Sequence, residues 1–163
     1  MANRSPDFFK ILQTLAEHKL DFIVVGGICA VLHGAPVSTF DLDIVHSRKS
    51  ENIKYLISAL KQMDTFYRGH GEQRLMPGSH HLASTGHHLL LTAYGPLDVL
   101  GMIGHGHDYE RLLEHSEEIV VDDVRLCLLD LKNLIKVKEE TASAKDRAVI
   151  SILRQTLKEK QKP

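Results

Sequence analysis

A glycine pair closes one apolar run, and an alternating acidic run opens thirteen residues later: Phe22-Ile23-Val24-Val25-Gly26-Gly27, then Asp41-Leu42-Asp43-Ile44. Four consecutive apolar residues ended by Gly-Gly read as a short buried strand. The alternation from Phe40 to Val45 reads as a half-buried strand. Between them, Ile28 to His33 reads as a short helix that Gly34-Ala35-Pro36 ends. Buried strands joined through a helix need helices packed over their sheet.

The rest of the chain fits that plan. Ser5-Pro6 reads as a helix start, a capping hydroxyl with proline at the first helical position. Phe8, Ile11, Leu12 and Leu15 then predict an amphipathic helix over 6–19. Ser50 opens a second long helix with Ile53, Leu56, Ile57, Leu60 and Met63 on one face. Residues 65–86 carry Gly, His and Pro77 without periodicity, so they read as a lid or as an irregular strand. Leu89 to Ala93 and Leu97 to Met102 flank Tyr94-Gly95-Pro96 as a hairpin. A short helix follows at 107–115, then a hairpin, Ile119 to Val121 and Val124 to Leu129, around Asp122-Asp123. Helices from Asp130 to Thr141 and from about 144 to 160 end the chain. This order predicts an α/β (α+β) fold: a mixed sheet with helices packed on it, followed by two C-terminal helices. One domain over 1–163 is expected, with its core at about 8–129 and the C-terminal helices at about 130–160.

Charge excludes one class of function. A protein that coats nucleic acid through its overall field is basic. Here 20 Lys and Arg stand against 21 Asp and Glu. The balance is uneven along the chain, because cations outnumber acids from Lys132 onward. Cys29 and Cys127 lie far apart and form no metal or redox pair, as expected of filler thiols in a reducing compartment. No apolar run approaches the roughly 20 residues of a membrane span. The first residues lack the plan of a signal peptide. These features predict a cytoplasmic protein with no membrane partner.

The acids point to metal. On a strand, Asp41 and Asp43 share a face while Leu42 and Ile44 point into the core. Adjacent carboxylates repel, and a divalent cation relieves the repulsion, with oxygen ligands of the kind Mg²⁺ prefers. Asp98, in Leu97-Asp98-Val99-Leu100, is a lone acid in an apolar strand, where an unpaired buried charge is costly. Beside the Asp41/Asp43 strand it would complete a set able to hold two cations about 3.5–4 Å apart. Gly26 and Gly27, at a strand-to-helix junction, let the backbone approach a bulky anion.

These blocks together resemble the nucleotidyltransferase superfamily that includes DNA polymerase beta. They are most similar to its small bacterial branch related to AbiEii toxins of abortive-infection systems and to MenA-type toxins. The matching residues are Gly26-Gly27, His33-Gly34, Thr39-Phe40-Asp41-Leu42-Asp43, Tyr94 to Leu100, and Leu134-Ile135 with Lys138, Lys145 and Asp146. Val37 and Ser143 depart from it, standing where arginines are usual.

The resemblance implies metal-dependent transfer of an NMP from an NTP to an acceptor hydroxyl. Asp41, Asp43 and Asp98 would be catalytic and bind Mg²⁺ (or Mn²⁺). Gly26, Gly27, Ser38, Thr39, Lys138, Lys145 and Asp146 would bind nucleotide, with Asp146 orienting a lysine through a salt bridge. A tRNA 3′ end or a protein would be the acceptor, with an antitoxin as partner. A small aminoglycoside-type acceptor and a non-catalytic nucleotide- or partner-binding module are the alternatives.

The 11 histidines raise the question of zinc. His80-His81, His87-His88 and His105-x-His107 have no accompanying Cys pair or His-Glu-x-x-His, so they are expected to be surface or loop residues. His33 and His46 flank the motifs and are expected to border the cleft.

Overall fold

The computed structural model describes residues 5–163. Its first half comprises α1 (Phe8–Glu17), β1 (Phe22–Val25), α2 (Gly26–Leu32), β2 (Leu42–His46), α3 (Ser50–Gln62), β3 (Phe66–Tyr67) and α4 (Ser79–Leu82). The hairpin β4 (His87–Thr92) and β5 (Gly95–Leu100) follows, then the small hairpin β6 (Met102–Ile103) and β7 (His107–Asp108), and α5 (Tyr109–Leu113). The chain ends with β8 (Ser116–Val121), β9 (Val124–Leu129), α6 (Leu131–Glu140) and α7 (Ala144–Gln161).

Seven strands form one sheet in the order β3-β4-β5-β2-β1-β9-β8. The β2–β5 and β1–β9 pairs are parallel and the others antiparallel. This is the expected mixed sheet.

Local chemistry moves several boundaries. The first helix is capped by Asp7, whose side chain accepts from the Lys10 N–H at 3.0 Å, not by Ser5. Asp7 N–H donates to Tyr94 O, and Gly95 leaves no room for a Cβ against Pro6. Residues 6 and 7 are thus held along the β4–β5 turn and cannot begin the helix. The second helix starts at Gly26, so the glycine pair forms its first turn rather than a break before it. Asp41 lies just ahead of β2, which starts at Leu42, and Phe40 is 82% exposed. Segment 65–86 does hide a strand, β3, and also α4, whose Leu82 is fully buried. The expected helix at 107–115 is shorter, because residues 107–108 pair in β7 and Asp108 caps α5. The second hairpin begins earlier than expected, at Ser116, and turns through Asp122 and Asp123, both at positive φ, as a two-residue hairpin turn requires.

Strand residues alternate faces. The registers Val25↔Asp43, Asp43↔Asp98 and Leu89↔Asp98 put those four side chains on one face. The opposite face, with Leu42, Ile44 and Leu97 fully buried, packs under α1, α3 and α4. On the acidic face, α2, α6 and α7 pack together and cover Val25 and Leu100. That cover stops short of β4, where Leu89 is 46% exposed. The two strand carboxylates sit at this boundary.

Candidate active site

The fold brings Asp41, Asp43 and Asp98 together. One oxygen from each carboxylate lies within 4.8 Å of the other two. Among the described residues this is the one group of three or more His, Cys, Asp or Glu side chains close enough to share an ion. The parallel register Asp43↔Asp98 is the cause, because it aligns two acids from strands far apart in sequence. Burial raises the Asp43 carboxyl to about 8, with the Asp98 and Asp41 charges adding to it and Lys138 opposing. Burial and the Asp98 charge also raise Asp41, opposed by Arg68. Such a cluster holds more acids than cations and offers only hard oxygen donors, so its residues fit Mg²⁺ or Mn²⁺.

The glycines make room for this cluster. Gly26 sits at φ +67, and a Cβ there would collide with Asp43 Oδ2. A Cβ on Gly27 would lie 2.6 Å from Thr39 Oγ1. The Thr39 hydroxyl in turn donates to Asp41 O at 3.0 Å, which fixes the approach to β2. The glycine pair therefore lets the first turn of α2 pack directly on the acid-bearing segment.

A cavity of about 520 Å³ opens beside Asp43. Gly26, Gly27 and Ser38 line one side and Lys138 another, over an apolar floor that includes Leu134, Val149 and Leu153. Lys138 Nζ lies 3.3 Å from Asp146 Oδ1, so of Lys138 and Lys145 it is Lys138 that Asp146 bridges. The other oxygen of Asp146 is engaged as well, since Oδ2 accepts from the Ser143 backbone N–H at 3.0 Å and hydroxyl at 2.9 Å. These bonds, then the Lys138 charge, hold the Asp146 carboxyl below its usual range. Ser143 thus caps α7, which explains a small hydroxyl residue at that position. Val37 lines the cavity, while Lys145 is exposed on the first turn of α7 and does not line it.

The β6–β7 hairpin forms the remaining wall through Ile103 and Gly104. Glu140 secures it, accepting from the His105 N–H at 3.0 Å and lying 2.7 Å from His107 Nε2. These contacts hold Glu140 below its ordinary range, the His105 N–H contributing most. His105 and His107 therefore anchor a loop to α6.

His33 and His46 do not border the cleft as expected; both are buried structural residues. His33 Nε2 lies 2.8 Å from Leu129 O and its Nδ1 accepts from Lys160 at 2.8 Å. His46 Nε2 lies 2.8 Å from Leu82 O. His87, His88 and His81 each engage a different neighbour, Met102 O, the Tyr67 hydroxyl and the Gly78 N–H.

One site residue escaped the sequence reading. Arg68, just past β3, donates from Nη2 to Asp98 Oδ1 at 2.7 Å and from Nη1 to Leu90 O at 2.8 Å. Antiparallel pairing of β3 with β4 would carry position 68 opposite Leu89, on the acidic face, but only if β3 is recognised as a strand. A second groove, about 810 Å³, lies at the opposite edge of the sheet. None of the predicted site residues lines it.

No protein-family profile matches the chain, and no curated protein matches it. Solved structures do. A lincosamide antibiotic adenylyltransferase, LnuA, bound to lincomycin superposes with a TM-score of 0.61 at 14% identity, covering 91% of this chain and 95% of that one. ANT(2″)-Ia in complex with adenylyl-2″-tobramycin gives 0.59 at 13% identity, covering 92% and 87%. A candidate nucleotidyltransferase from Thermotoga maritima gives 0.55 at 15% identity, covering 93% and 91%. The chain has the fold of these nucleotidyltransferase structures.

Proposed function

We propose that this protein is a metal-dependent nucleotidyltransferase that moves an NMP from an NTP to an acceptor hydroxyl. One observation carries the reading: three carboxylates converge beside a glycine-walled cavity that a lysine faces. Mg²⁺ (or Mn²⁺), held by Asp41 and Asp43 with Asp98 beside them, would supply Lewis-acid charge at the α-phosphate. Gly26 and Gly27 leave backbone space for the triphosphate, and Ser38 and Thr39 lie at its edge. Lys138 neutralises phosphate charge as transfer proceeds, and Asp146 orients it. Lys145 meets the nucleotide or acceptor from the exposed end of α7. The acceptor oxygen bonds to Pα as the bond from Pα to pyrophosphate breaks. Asp98 takes the hydroxyl proton.

The motif resemblance supports a tRNA 3′ end or a protein as acceptor, in a cytoplasmic toxin with an antitoxin partner. The end-to-end similarity to an antibiotic-bound adenylyltransferase favours a second reading, a small polyhydroxyl acceptor. Incubation with each α-³²P-NTP and Mg²⁺, against bulk tRNA, cell protein and aminoglycosides or lincosamides, tests both. Label on one acceptor with release of pyrophosphate is expected. Calorimetric binding of Mg-NTP without transfer to any acceptor would replace the enzyme with a nucleotide-binding module.

A further inference from the structure

Arg68 lies outside the glycine block and outside both acid-bearing segments, yet its guanidinium enters the carboxylate cluster. Three bonds fix it: Nη2 to Asp98 Oδ1 at 2.7 Å, Nη1 to Leu90 O at 2.8 Å, and its backbone N–H to Leu89 O at 3.0 Å. The backbone bond pairs residue 68 with β4, and the Leu90 carbonyl gives the guanidinium a second anchor besides Asp98. The pair is largely shielded, Arg68 being 27% and Asp98 12% exposed. A guanidinium is charged at every accessible pH and its planar fork matches this two-pronged anchorage.

Charge balance then limits what else the cluster holds. Three ionised carboxylates are neutralised by one guanidinium and one divalent ion. A second divalent ion at Asp98 would approach a carboxylate already bonded to a fixed cation, and like charges at such range repel strongly. Asp41 and Asp43 carry no such partner: among the described residues no arginine or lysine forms an ion pair with either.

We propose that Arg68 takes the place of a second divalent ion at Asp98, so that the site holds one ion, on Asp41 and Asp43. Arg68 is then a positioning residue. It holds Asp98 Oδ1 and leaves Oδ2 toward the acceptor hydroxyl. This inference rests on the nucleotidyltransferase reading and departs from the two-ion arrangement expected from sequence.

The test counts ions rather than turnover. Crystals of the full chain grown with Mn²⁺ and each α,β-methylene nucleoside triphosphate in turn are scored by anomalous scattering. The wild type is expected to show one Mn²⁺ peak per chain, on Asp41 and Asp43, with Arg68 still on Asp98. Arg68→Met, of similar length without charge, is expected to show a second peak at Asp98. Electron paramagnetic resonance titration of the same complexes is expected to rise from one bound Mn²⁺ to two. Two peaks in the wild type, or one in Arg68→Met, would overturn the proposal. Should Arg68→Met fail to fold, Asp98→Asn serves instead. It is expected to keep the single ion with Mn²⁺ affinity within about threefold, since Asp98 is not then a ligand; loss of that ion overturns the proposal. No carboxylate-dependent ion in the wild type with any analogue, together with no label transfer, overturns the transferase reading itself.

Discussion

Two cations flank the carboxylates, and they are held differently. Lys138, on the cavity wall, reaches from α6 to Asp146 on the first turn of α7 at 3.3 Å, each side chain about a third exposed. Arg68 reaches from the bare side of the sheet to Asp98 at 2.7 Å, with further bonds to β4 backbone. A compact ammonium on a flexible stem can exchange one anion for another, and Asp146 stays satisfied by Ser143 if Lys138 leaves. A forked, anchored guanidinium cannot exchange cheaply. The cluster is thus flanked by an exchangeable cation on the cavity side and a fixed one on the β4 side.

The comparison can be broken at several points. Replacing the two carboxylates that neither cation pairs is the most severe: Asp41→Asn with Asp43→Asn is expected to lower nucleotidyl transfer about a thousandfold or more while the circular-dichroism spectrum stays native. Full activity in this double variant would remove the basis of the site. Gly26→Ala adds a side chain at positive φ against Asp43 Oδ2, and chemical denaturation should show a loss of about 1–3 kcal/mol along with most activity. Lys138→Ala should raise KM for the NTP about 10- to 100-fold, the worth of one charge-assisted hydrogen bond. An unchanged KM would mean that Lys138 does not transfer from Asp146 to phosphate.

Acidity sharpens the same contrast. Asp43 titrates near 8 in the folded, metal-free protein and near 4 when unfolded, so the native state binds its proton more tightly. Its stabilising contribution is full below about pH 4 and is lost as pH rises through about 8. Relative to Asp43→Asn, the metal-free wild type should therefore lose Tm steadily over that window, and Mg²⁺ should restore it at the alkaline end. The smallest effect belongs to Arg74, near Arg68 in sequence but exposed, pairing with an exposed Asp64 and lying over Phe66. Arg74→Ala should cost less than about 1 kcal/mol in denaturation and leave transfer unaltered.

Much of this site could be read before the fold was known. Asp41, Asp43 and Asp98 stand out because acids inside apolar strands must be paired or used, and Gly26 and Gly27 because they interrupt an apolar run. The resemblance implied that Asp146 bridges a lysine, and the fold selects Lys138 over Lys145. Arg68 was not, because its strand is two residues long and its partner lies in another hairpin. No local periodicity announces a strand that exists only through pairing with β4. His33 and His46 misled for the opposite reason. Their places beside the motifs suggested the cleft, while the fold sends them to the Leu129 and Leu82 carbonyls. The glycine pair was read as a phosphate cradle, and the fold adds a nearer reason for it: contact with Asp43 and Thr39.

The parallel pairing of β2 with β5 has a kinetic consequence. Neither strand can bring its acid to the cluster alone, and the two are separated by α3, α4 and the β3–β4 ribbon. Long-range parallel pairing is slow to form, since much of the intervening chain must be ordered first. A register slip of one residue would turn Asp98 to the opposite face from Asp43. Asp98 should therefore join Asp41 and Asp43 only when this pairing locks, late in refolding, so that the proposed transfer activity returns after the native helix signal does.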